Sequence, residues 1–274
     1  MTLRKLIISP QAGFGNRLRA LCAAKVFGTL LGRKVFHYWV KDDERSHVSH
    51  VNDMKDIDPS YMFELNIPLF DGESADACFT EWMPGDFWYR EQSTAQKRLR
   101  CGNTIRLTGA YQIAKCQYDT VLVETSHALQ VSGNIEFWNA MMTDVYRKYF
   151  ILNARWTKIY DNLPSFDYGI SIRRGNFLTY NPEAGVEAEL IASKINKYKG
   201  SKVIFSDDKT YQNELRIIAS SPFGINDTES GLYGIDNYIC QFLILSKCKC
   251  ILGTSKSSFP EQASVFGGTF YEPI

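Results

Sequence analysis

The sequence predicts an α/β protein built on parallel sheets, and three observations lead to this fold class. Short apolar strands alternate with helical segments, polar turns follow several of the strands, and the alternation pauses once and then restarts. The pause, Asp161-Asn162-Leu163-Pro164-Ser165, divides the 274 residues into two predicted domains, 1–163 and 164–274. A chain of this length buries enough surface to need no disulfide or metal for its stability.

The first domain opens with an apolar strand, Leu6-Ile7-Ile8, followed by a glycine turn at residues 13–17. A helix is predicted from Leu18, with Gly32 as its stop. Such a turn places N–H groups at a helix N-terminus, which favours an anion. A plain turn without a ligand is the alternative, because Leu18 stands where a dinucleotide fingerprint has its third glycine. The domain's other predicted elements are strands at 34–40, 104–108 and 120–123 and a helix at 134–151.

The second domain repeats the pattern with four predicted strand and helix pairs. The predicted strands cover residues 168–172, 202–205, 248–252 and 268–271, and the predicted helices cover 183–198, 209–219, 236–246 and 257–266. Ligands of parallel sheets bind beyond the carboxyl ends of the strands. The residues that follow these strands are therefore the candidates for a binding site.

Three polar segments occupy such positions in the second domain. Arg173-Arg174 follows the first strand, and a phosphate suits two guanidinium groups that would be costly to bury unpaired; solvent or acidic partners are the alternative. Adjacent strand residues point to opposite faces, so we expect these two arginines to diverge. Asp207-Asp208 follows the second strand, where one of the two is expected to cap the next helix. Ser257-Ser258 lies at the start of the last predicted helix and either holds a diphosphate or caps that helix.

Taken in order, these segments resemble the fucosyltransferase superfamily, which includes bacterial α-1,2, rhizobial and animal α-1,6 and protein O-fucosyltransferases. The matching segments are Gly13-Phe14-Gly15-Asn16-Arg17-Leu18, Leu31-Gly32-Arg33, Tyr38-Trp39, Gly109-Ala110-Tyr111-Gln112, Ser171-Ile172-Arg173-Arg174-Gly175-Asn176, Phe205-Ser206-Asp207-Asp208, Leu245-Ser246-Lys247-Cys248-Lys249 and Ser257-Ser258-Phe259. The sequence departs from the family where Ser171 replaces His, Asn176 replaces Asp and Gln241 replaces the Asp that binds guanine. A donor other than GDP-fucose stays open for that reason.

The resemblance implies two Rossmann-like domains that face each other across a cleft, the GT-B arrangement. It implies an acceptor-side first domain, a second domain that binds the nucleotide sugar, and an inverting transfer of fucose from GDP-fucose to a saccharide, without a metal or other cofactor. It assigns Arg173 to catalysis, as the group that holds the β-phosphate. The donor-binding residues it implies are Gly13, Gly15, Asn16, Arg17, Arg174, Asp207, Asp236, Gln241, Ser257, Ser258 and Phe259.

The acceptor hydroxyl also needs a general base, and no motif specifies one. Asp43, with its neighbours Asp42 and Glu44, follows the second predicted strand and is the candidate by position. A solvated run of charges is the alternative interpretation of these three residues.

Composition excludes several function classes. The net charge of +1 gives no field for nucleic acid or an anionic membrane, and no apolar run approaches the ~20 residues of a membrane span. The start of the sequence lacks the features of a signal peptide, so a cytoplasmic protein is expected. The seven cysteines contain no Cys-x-x-Cys and suit free thiols in a reducing compartment. Cys248 and Cys250 are expected to share one face of a strand.

Several other functions compete with that of a transferase. A metal site at Asp56 and Asp58 is disfavoured because Pro59 follows and no apolar strand leads directly into the pair, which favours a plain turn. A zinc site at His47 and His50 lacks a Cys or a third His nearby, and His37 is expected to be a core histidine. A dinucleotide-dependent oxidoreductase is disfavoured by the missing third glycine and by the lack of an acidic residue near the end of the second strand. A degenerate transferase that only binds a nucleotide or a partner stays open.

Overall fold

The computed structural model of the protein describes residues 4–10, 13–38, 59–70, 79–82, 97–99, 104–106, 114–115, 120–125, 129, 135–175, 177–219 and 234–274. The chain divides into two compact units, Met1–Ile151 and Leu152–Ile274. The predicted limits at 163 and 164 stay a prediction, as does the arrangement of two domains across a cleft.

The elements of the first part of the chain are β1 (Lys5–Pro10), α1 (Phe14–Leu30), β2 (Lys34–His37), β3 (Phe63–Leu65), β4 (Phe79–Trp82), β5 (Lys97–Leu99), β6 (Thr104–Arg106), β7 (Thr120–Thr125), α2 (Ile135–Tyr149) and β8 (Phe150–Leu152). Four of the strands form a parallel sheet in the order β2-β1-β7-β6. Strand β4 pairs with β5 in an antiparallel ladder, and β3 pairs with β8.

Helix α1 packs against β1, β2 and α2. Gly28 permits the contact with β2, because a Cβ at this position would lie 2.3 Å from Val35 Cγ2. The Cys22 thiol donates a hydrogen bond to the Met142 carbonyl oxygen at 3.3 Å and so joins α1 to α2. The helix ends at Leu30, and Gly32 adopts a φ of +62°, which confirms the predicted stop.

The elements of the second unit in chain order are α3 (Ala154–Asn162), β9 (Tyr168–Ile172), α4 (Phe177–Tyr180), α5 (Ala188–Ile195), β10 (Lys202–Ser206), α6 (Lys209–Ile218), α7 (Gly234–Ser246), β11 (Cys250–Gly253), α8 (Ser258–Gly267) and β12 (Phe270–Pro273). The four strands form another parallel sheet, in the order β10-β9-β11-β12. The two four-stranded parallel sheets, with helices between their strands, confirm the predicted α/β class.

Strand β9 is central in this sheet and is covered on both faces. Ile170 and Ile172 join the apolar cluster that α5 and α6 complete on one face. On the other face, a Cβ at Gly169 would lie 2.6 Å from Leu245 Cδ2, so α7 approaches the start of the strand closely. Since strand residues alternate between faces, residues 169, 171 and 173 point toward the α7 side.

Helix α3, which was not predicted, is fixed to α7 at both of its ends. The Asn153 side chain accepts a hydrogen bond from Trp156 N at 3.1 Å and caps the helix, and Trp156 is fully buried.

Arg155 near the start of α3 forms an ion pair with Asp236 near the start of α7. Lys247 Nζ, just after α7, donates to the carbonyl oxygens of Tyr160 at 3.0 Å and Leu163 at 2.7 Å. The two helices are therefore held side by side along their length.

Several local predictions are wrong. The helix predicted over 183–198 is a 3-10 turn at Pro182–Ala184 followed by α5, because the backbone leaves the helical conformation at Gly185 and is extended at Glu187. Residues 150–151 lie in β8, where they pair with β3 instead of extending α2. Cys248 precedes β11, and its thiol donates to the Ile244 carbonyl oxygen at 3.3 Å, so Cys248 and Cys250 do not share a strand face.

The described helices include none with the length and hydropathy needed to cross a membrane. His37 at the end of β2 is buried, as expected for a core histidine.

Candidate functional site

The carboxyl ends of β9, β10 and β11 lie at one edge of the second sheet, and the segments that follow them are bonded to each other. Arg173 N donates to Thr254 Oγ1 at 2.8 Å, which joins the segment after β9 to the segment after β11. Arg174 N donates to Asp207 Oδ1 at 2.7 Å, which joins it to the segment after β10. The three polar segments predicted from the sequence therefore meet at this edge.

The Arg173 guanidinium is held in place by Asp207. Its Nη1 lies 3.1 Å from Asp207 Oδ2, and the two side chains are 23% and 22% exposed. Because Asp207 also accepts from the backbone of Arg174, one carboxylate fixes both the strand end and the guanidinium. This geometry leaves a positively charged group that is oriented and still reachable from solvent.

Gly175 is required for this arrangement. Its φ is +24°, and a Cβ at this position would lie 2.8 Å from Asp207 Oδ2. A larger residue would therefore push against the same carboxylate that orients Arg173.

Arg174 points toward α6, in agreement with the predicted divergence of the two arginines. Its guanidinium lies over the Tyr211 ring, 4.1 Å from the centroid, and its Nη1 donates to the Val186 carbonyl oxygen at 2.9 Å. Its Nε lies 3.8 Å from Asp208 Oδ2. These contacts explain Arg174 without a ligand, although its side chain is 22% exposed, almost the same as that of Arg173.

The two aspartates after β10 have different partners. Asp208 Oδ1 accepts from Tyr211 N at 3.0 Å and caps α6, so the capping expected of one aspartate falls to Asp208. Asp207 instead bonds to the two arginines of the β9 segment. The sequence left this choice open, and the three-dimensional contacts decide it.

Ser257 occupies the N-cap position of α8, yet its hydroxyl makes no capping hydrogen bond. The segment before it is held by the Tyr271 hydroxyl, which donates to the Thr254 carbonyl oxygen at 3.2 Å, and by Ser257 N, which donates to the same oxygen at 3.0 Å. Lys256 adopts a φ of +65° within this segment. The start of α8, with Ser258 as its first residue, thus lacks the side-chain cap that a plain capping role for Ser257 requires.

Aromatic side chains connect α8 to α7. Phe259 packs against Tyr238 with ring centroids 4.3 Å apart, and against Phe242 at 5.6 Å. Burial raises the pKa of Tyr238; the charge of Arg173 opposes this rise and that of Asp207 adds to it. The charges of both members of the Arg173–Asp207 ion pair therefore act on the Tyr238 hydroxyl.

Sequence reasoning missed Tyr238. A signal for Tyr238 was present, because it lies seven residues before Leu245 and so on the same face of α7. Two predicted donor-binding residues also lie on α7. Gln241 is buried there, and Asp236 is paired with Arg155.

The remaining predicted donor-binding residues lie in the first unit. Gly13 is the N-cap of α1 with a φ of −68°, and a Cβ added there would meet no described atom within 4 Å.

Helix α1 begins at Phe14, so Gly15, Asn16 and Arg17 form its first turn. The prediction of a separate turn before Leu18 is therefore wrong. A glycine N-cap lets the helix start directly after it. Asn16 Oδ1 accepts from Arg19 Nη2 at 2.8 Å, and Arg17 is buried.

Several predicted residues lie outside the described residues. They are Asp42, Asp43, Glu44, His47, His50, Asp56, Asp58, Asn176 and the segment 109–112. Within the described part of the chain, no group of three His, Cys, Asp or Glu side chains is placed to hold a metal ion.

No protein-family model matches this sequence. No curated protein sequence matches it significantly. Solved structures are similar to it. The fucosyltransferase NodZ from Bradyrhizobium is 14% identical, with a TM-score of 0.57 over 96% of this chain and 93% of that chain.

Two further structures show the same similarity. A mutant of FUT1 from Arabidopsis thaliana in complex with GDP is 12% identical, with a TM-score of 0.60 over 98% of this chain and 69% of that chain. POFUT1 in complex with GDP is 11% identical, with a TM-score of 0.55 over 100% of this chain and 99% of that chain. The predicted resemblance is confirmed for the fold: the chain has the fold of these fucosyltransferases.

Proposed function

We propose that the protein is a glycosyltransferase that moves fucose from GDP-fucose to a hydroxyl of a saccharide. The fold supports this proposal, and structures of NodZ with GDP, of NodZ soaked with GDP-fucose and of POFUT1 with GDP-fucose are among those similar to this chain. A fold alone hosts many activities, so the proposal depends on the residues of the site.

One observation carries the proposal. The Arg173 guanidinium is fixed by Asp207. The backbone N–H of Arg173 donates a hydrogen bond to Thr254, which lies three residues before the N-cap of α8. A guanidinium and the N–H groups of a helix start are both ligands for phosphate oxygens. We therefore assign the diphosphate of the donor to this edge of the second sheet, with Arg173 on its β-phosphate and Ser257 and Ser258 beside it.

The chemistry follows from this placement. The acceptor oxygen attacks the anomeric carbon as the bond from that carbon to the β-phosphate oxygen breaks, which inverts the configuration. Negative charge then grows on the diphosphate, and a fixed guanidinium stabilises it more strongly in the transition state than in the bound donor. The acceptor proton passes to a general base, for which Asp43 remains the candidate by sequence. Because Arg173 and α8 already supply positive charge, the proposed transfer needs no metal.

Calorimetry of the whole protein with GDP, UDP, ADP, CDP and their sugar conjugates tests the donor. GDP and GDP-fucose are expected to bind best. If no sugar nucleotide binds, the proposal fails; if another base is preferred, the donor is a different nucleotide sugar.

Activity separates an enzyme from a binding module. The protein with GDP-fucose and a saccharide panel should release GDP and form product, and should do so equally after treatment with EDTA. Binding without any release of GDP would instead indicate the nucleotide-binding alternative. Loss of activity with EDTA and its recovery with Mn²⁺ or Mg²⁺ would contradict the metal-independent mechanism.

A further inference from the structure

The Tyr238 hydroxyl is a polar group of the candidate site that the proposed chemistry has not used. Its ring packs on Phe259 in the first turn of α8. The Tyr238 side chain is half-buried, with an apolar ring and a polar tip. Its hydroxyl can therefore donate a hydrogen bond to a ligand at this edge of the sheet.

The course of α7 places this hydroxyl over the end of β9. Leu245, in the last turn of α7, lies against Gly169 at the start of β9. Tyr238 is two helical turns earlier on the same face, about 10.5 Å back along the helix. Arg173 is four residues beyond Gly169, about 13 Å along the strand and on the same face. The helix and strand therefore bring Tyr238 and Arg173 together.

The charges around Tyr238 agree with this placement. Arg173 and Asp207, which form the ion pair at the end of β9, both act on the Tyr238 hydroxyl. Burial raises the pKa of Tyr238, so the hydroxyl keeps its proton at neutral pH and serves as a donor. A neutral donor beside a guanidinium, near the start of a helix, is suited to an anion.

We infer that Tyr238 is a further ligand of the diphosphate, and that its hydroxyl donates a hydrogen bond to the terminal phosphate beside Arg173. This inference rests on the proposed function, since it requires that a nucleoside diphosphate binds at this edge of the sheet. Phe259 has a supporting part, because its ring fixes the orientation of the Tyr238 ring.

The test is Tyr238→Phe, which removes the hydroxyl and keeps the ring on Phe259. Binding is measured by calorimetry with the nucleoside diphosphate that binds the wild type best, and with the corresponding monophosphate. We expect a loss of affinity of about tenfold or more for the diphosphate, the size of one hydrogen bond to a charged oxygen, and little change for the monophosphate.

Tyr198→Phe is the matched control. The Tyr198 hydroxyl donates to Glu272 Oε1 at 2.7 Å, and its ring packs against Tyr168 at the opposite end of β9. This control should leave the affinity for both nucleotides unchanged. Thermal unfolding of both variants confirms that they are folded.

The outcomes separate the inference from the proposed function. If Tyr238→Phe binds the diphosphate as the wild type does, or loses affinity equally for both nucleotides, the inference is wrong and the proposed function stands. If the wild type binds no nucleoside diphosphate, both are wrong.

Discussion

Asp207 holds Arg173 by its guanidinium, with 3.1 Å between Oδ2 and Nη1, while its other oxygen accepts from the next backbone N–H along the chain. One carboxylate thus sets both where the strand end lies and where the cation points. Preorganised charge of this kind stabilises a transition state without reorganisation during the reaction. The catalytic role proposed for Arg173 depends on this relationship.

Replacing Arg173 should affect turnover far more than folding. Arg173→Ala is expected to lower kcat by about 10³-fold or more, because the charge that grows on the leaving diphosphate loses its guanidinium. The backbone bond to Thr254 is kept, so the fold should persist. Arg173→Lys should restore little, since a point charge does not reproduce a two-pronged contact. Initial rates with GDP-fucose, with circular dichroism as a check of folding, measure both effects.

Arg174→Ala is the matched control for this experiment. It removes the stacking on Tyr211 and the bond to the Val186 carbonyl oxygen, which should cost about 1–2 kcal/mol of unfolding free energy. Its effect on kcat should be small. If Arg173→Ala only destabilises the protein while Arg174→Ala abolishes turnover, the assignment of the catalytic arginine is reversed.

The hydroxyls at the start of α8 should contribute to donor binding. Ser257→Ala and Ser258→Ala are each expected to weaken donor affinity by about tenfold, the size of one hydrogen bond to a charged oxygen. Because the Ser257 hydroxyl makes no capping bond, Ser257→Ala should change the unfolding free energy by less than about 0.5 kcal/mol.

A true cap gives the opposite pattern. Asp208→Ala removes the side chain that caps α6 and should cost about 1 kcal/mol of unfolding free energy, with donor affinity unchanged. Urea unfolding and calorimetry together distinguish the two classes. Unchanged affinity in both serine variants would return the start of α8 to a structural role.

Two glycines should respond differently to alanine. Gly175→Ala is expected to destabilise the protein by about 1–2 kcal/mol and to lower kcat, because its φ of +24° is unfavourable for alanine and its Cβ would press on Asp207. Gly13 has a normal φ, and a Cβ at this position would meet no described atom within 4 Å. Gly13→Ala should therefore lower the free energy of unfolding by less than about 1 kcal/mol. A fall in donor affinity in Gly13→Ala would show that a ligand approaches this backbone; unchanged affinity would remove Gly13 from the site.

Acid should weaken the hydrogen bonds of Asp167 with Ser201 and Lys249 at the amino end of β9. The hydrogen bond from Lys249, followed by those from the backbone and hydroxyl of Ser201, lowers the pKa of Asp167 from 3.8 to about 2. A carboxyl whose pKa is lower in the folded state stabilises the fold above its unfolded pKa, and this contribution disappears as the pH falls toward the folded value. The stability difference between wild type and Asp167→Asn should therefore shrink between about pH 5 and about pH 2. Urea midpoints across that range measure it, and a constant difference would contradict the assignment.

Local patterns predicted β9 and β10 well, whereas β11 and β12 each begin two residues later than predicted. The reason for the success is visible in β9. Tyr168–Ile172 is a short apolar run between polar turns, and the strand has the predicted bounds because both faces are buried. The start of α1 was predicted four residues late, since the glycine and polar residues of its first turn hide the helix from apolar periodicity. Helix α3 was missed because Trp156 is its one buried residue.

The candidate site was only partly predictable from sequence. Strand ends and polar turns indicated Arg173, Asp207 and Ser257, because parallel strands bring their carboxyl ends together. Which aspartate caps α6 depends on contacts between β9 and β10, which the sequence does not encode locally. Tyr238 reaches the site from α7 through packing on Phe259, a contact between helices that no single motif specifies.

The attachment of α3 to α7 determines where the chain can be cut for separate study. A fragment that begins at Pro164 would discard Trp156 from the interior and would leave Lys247 Nζ without its two carbonyl acceptors. A fragment that begins at Leu152 retains both, together with the Asn153 cap. Expression of the second unit alone for labelling or soaking should therefore start at Leu152.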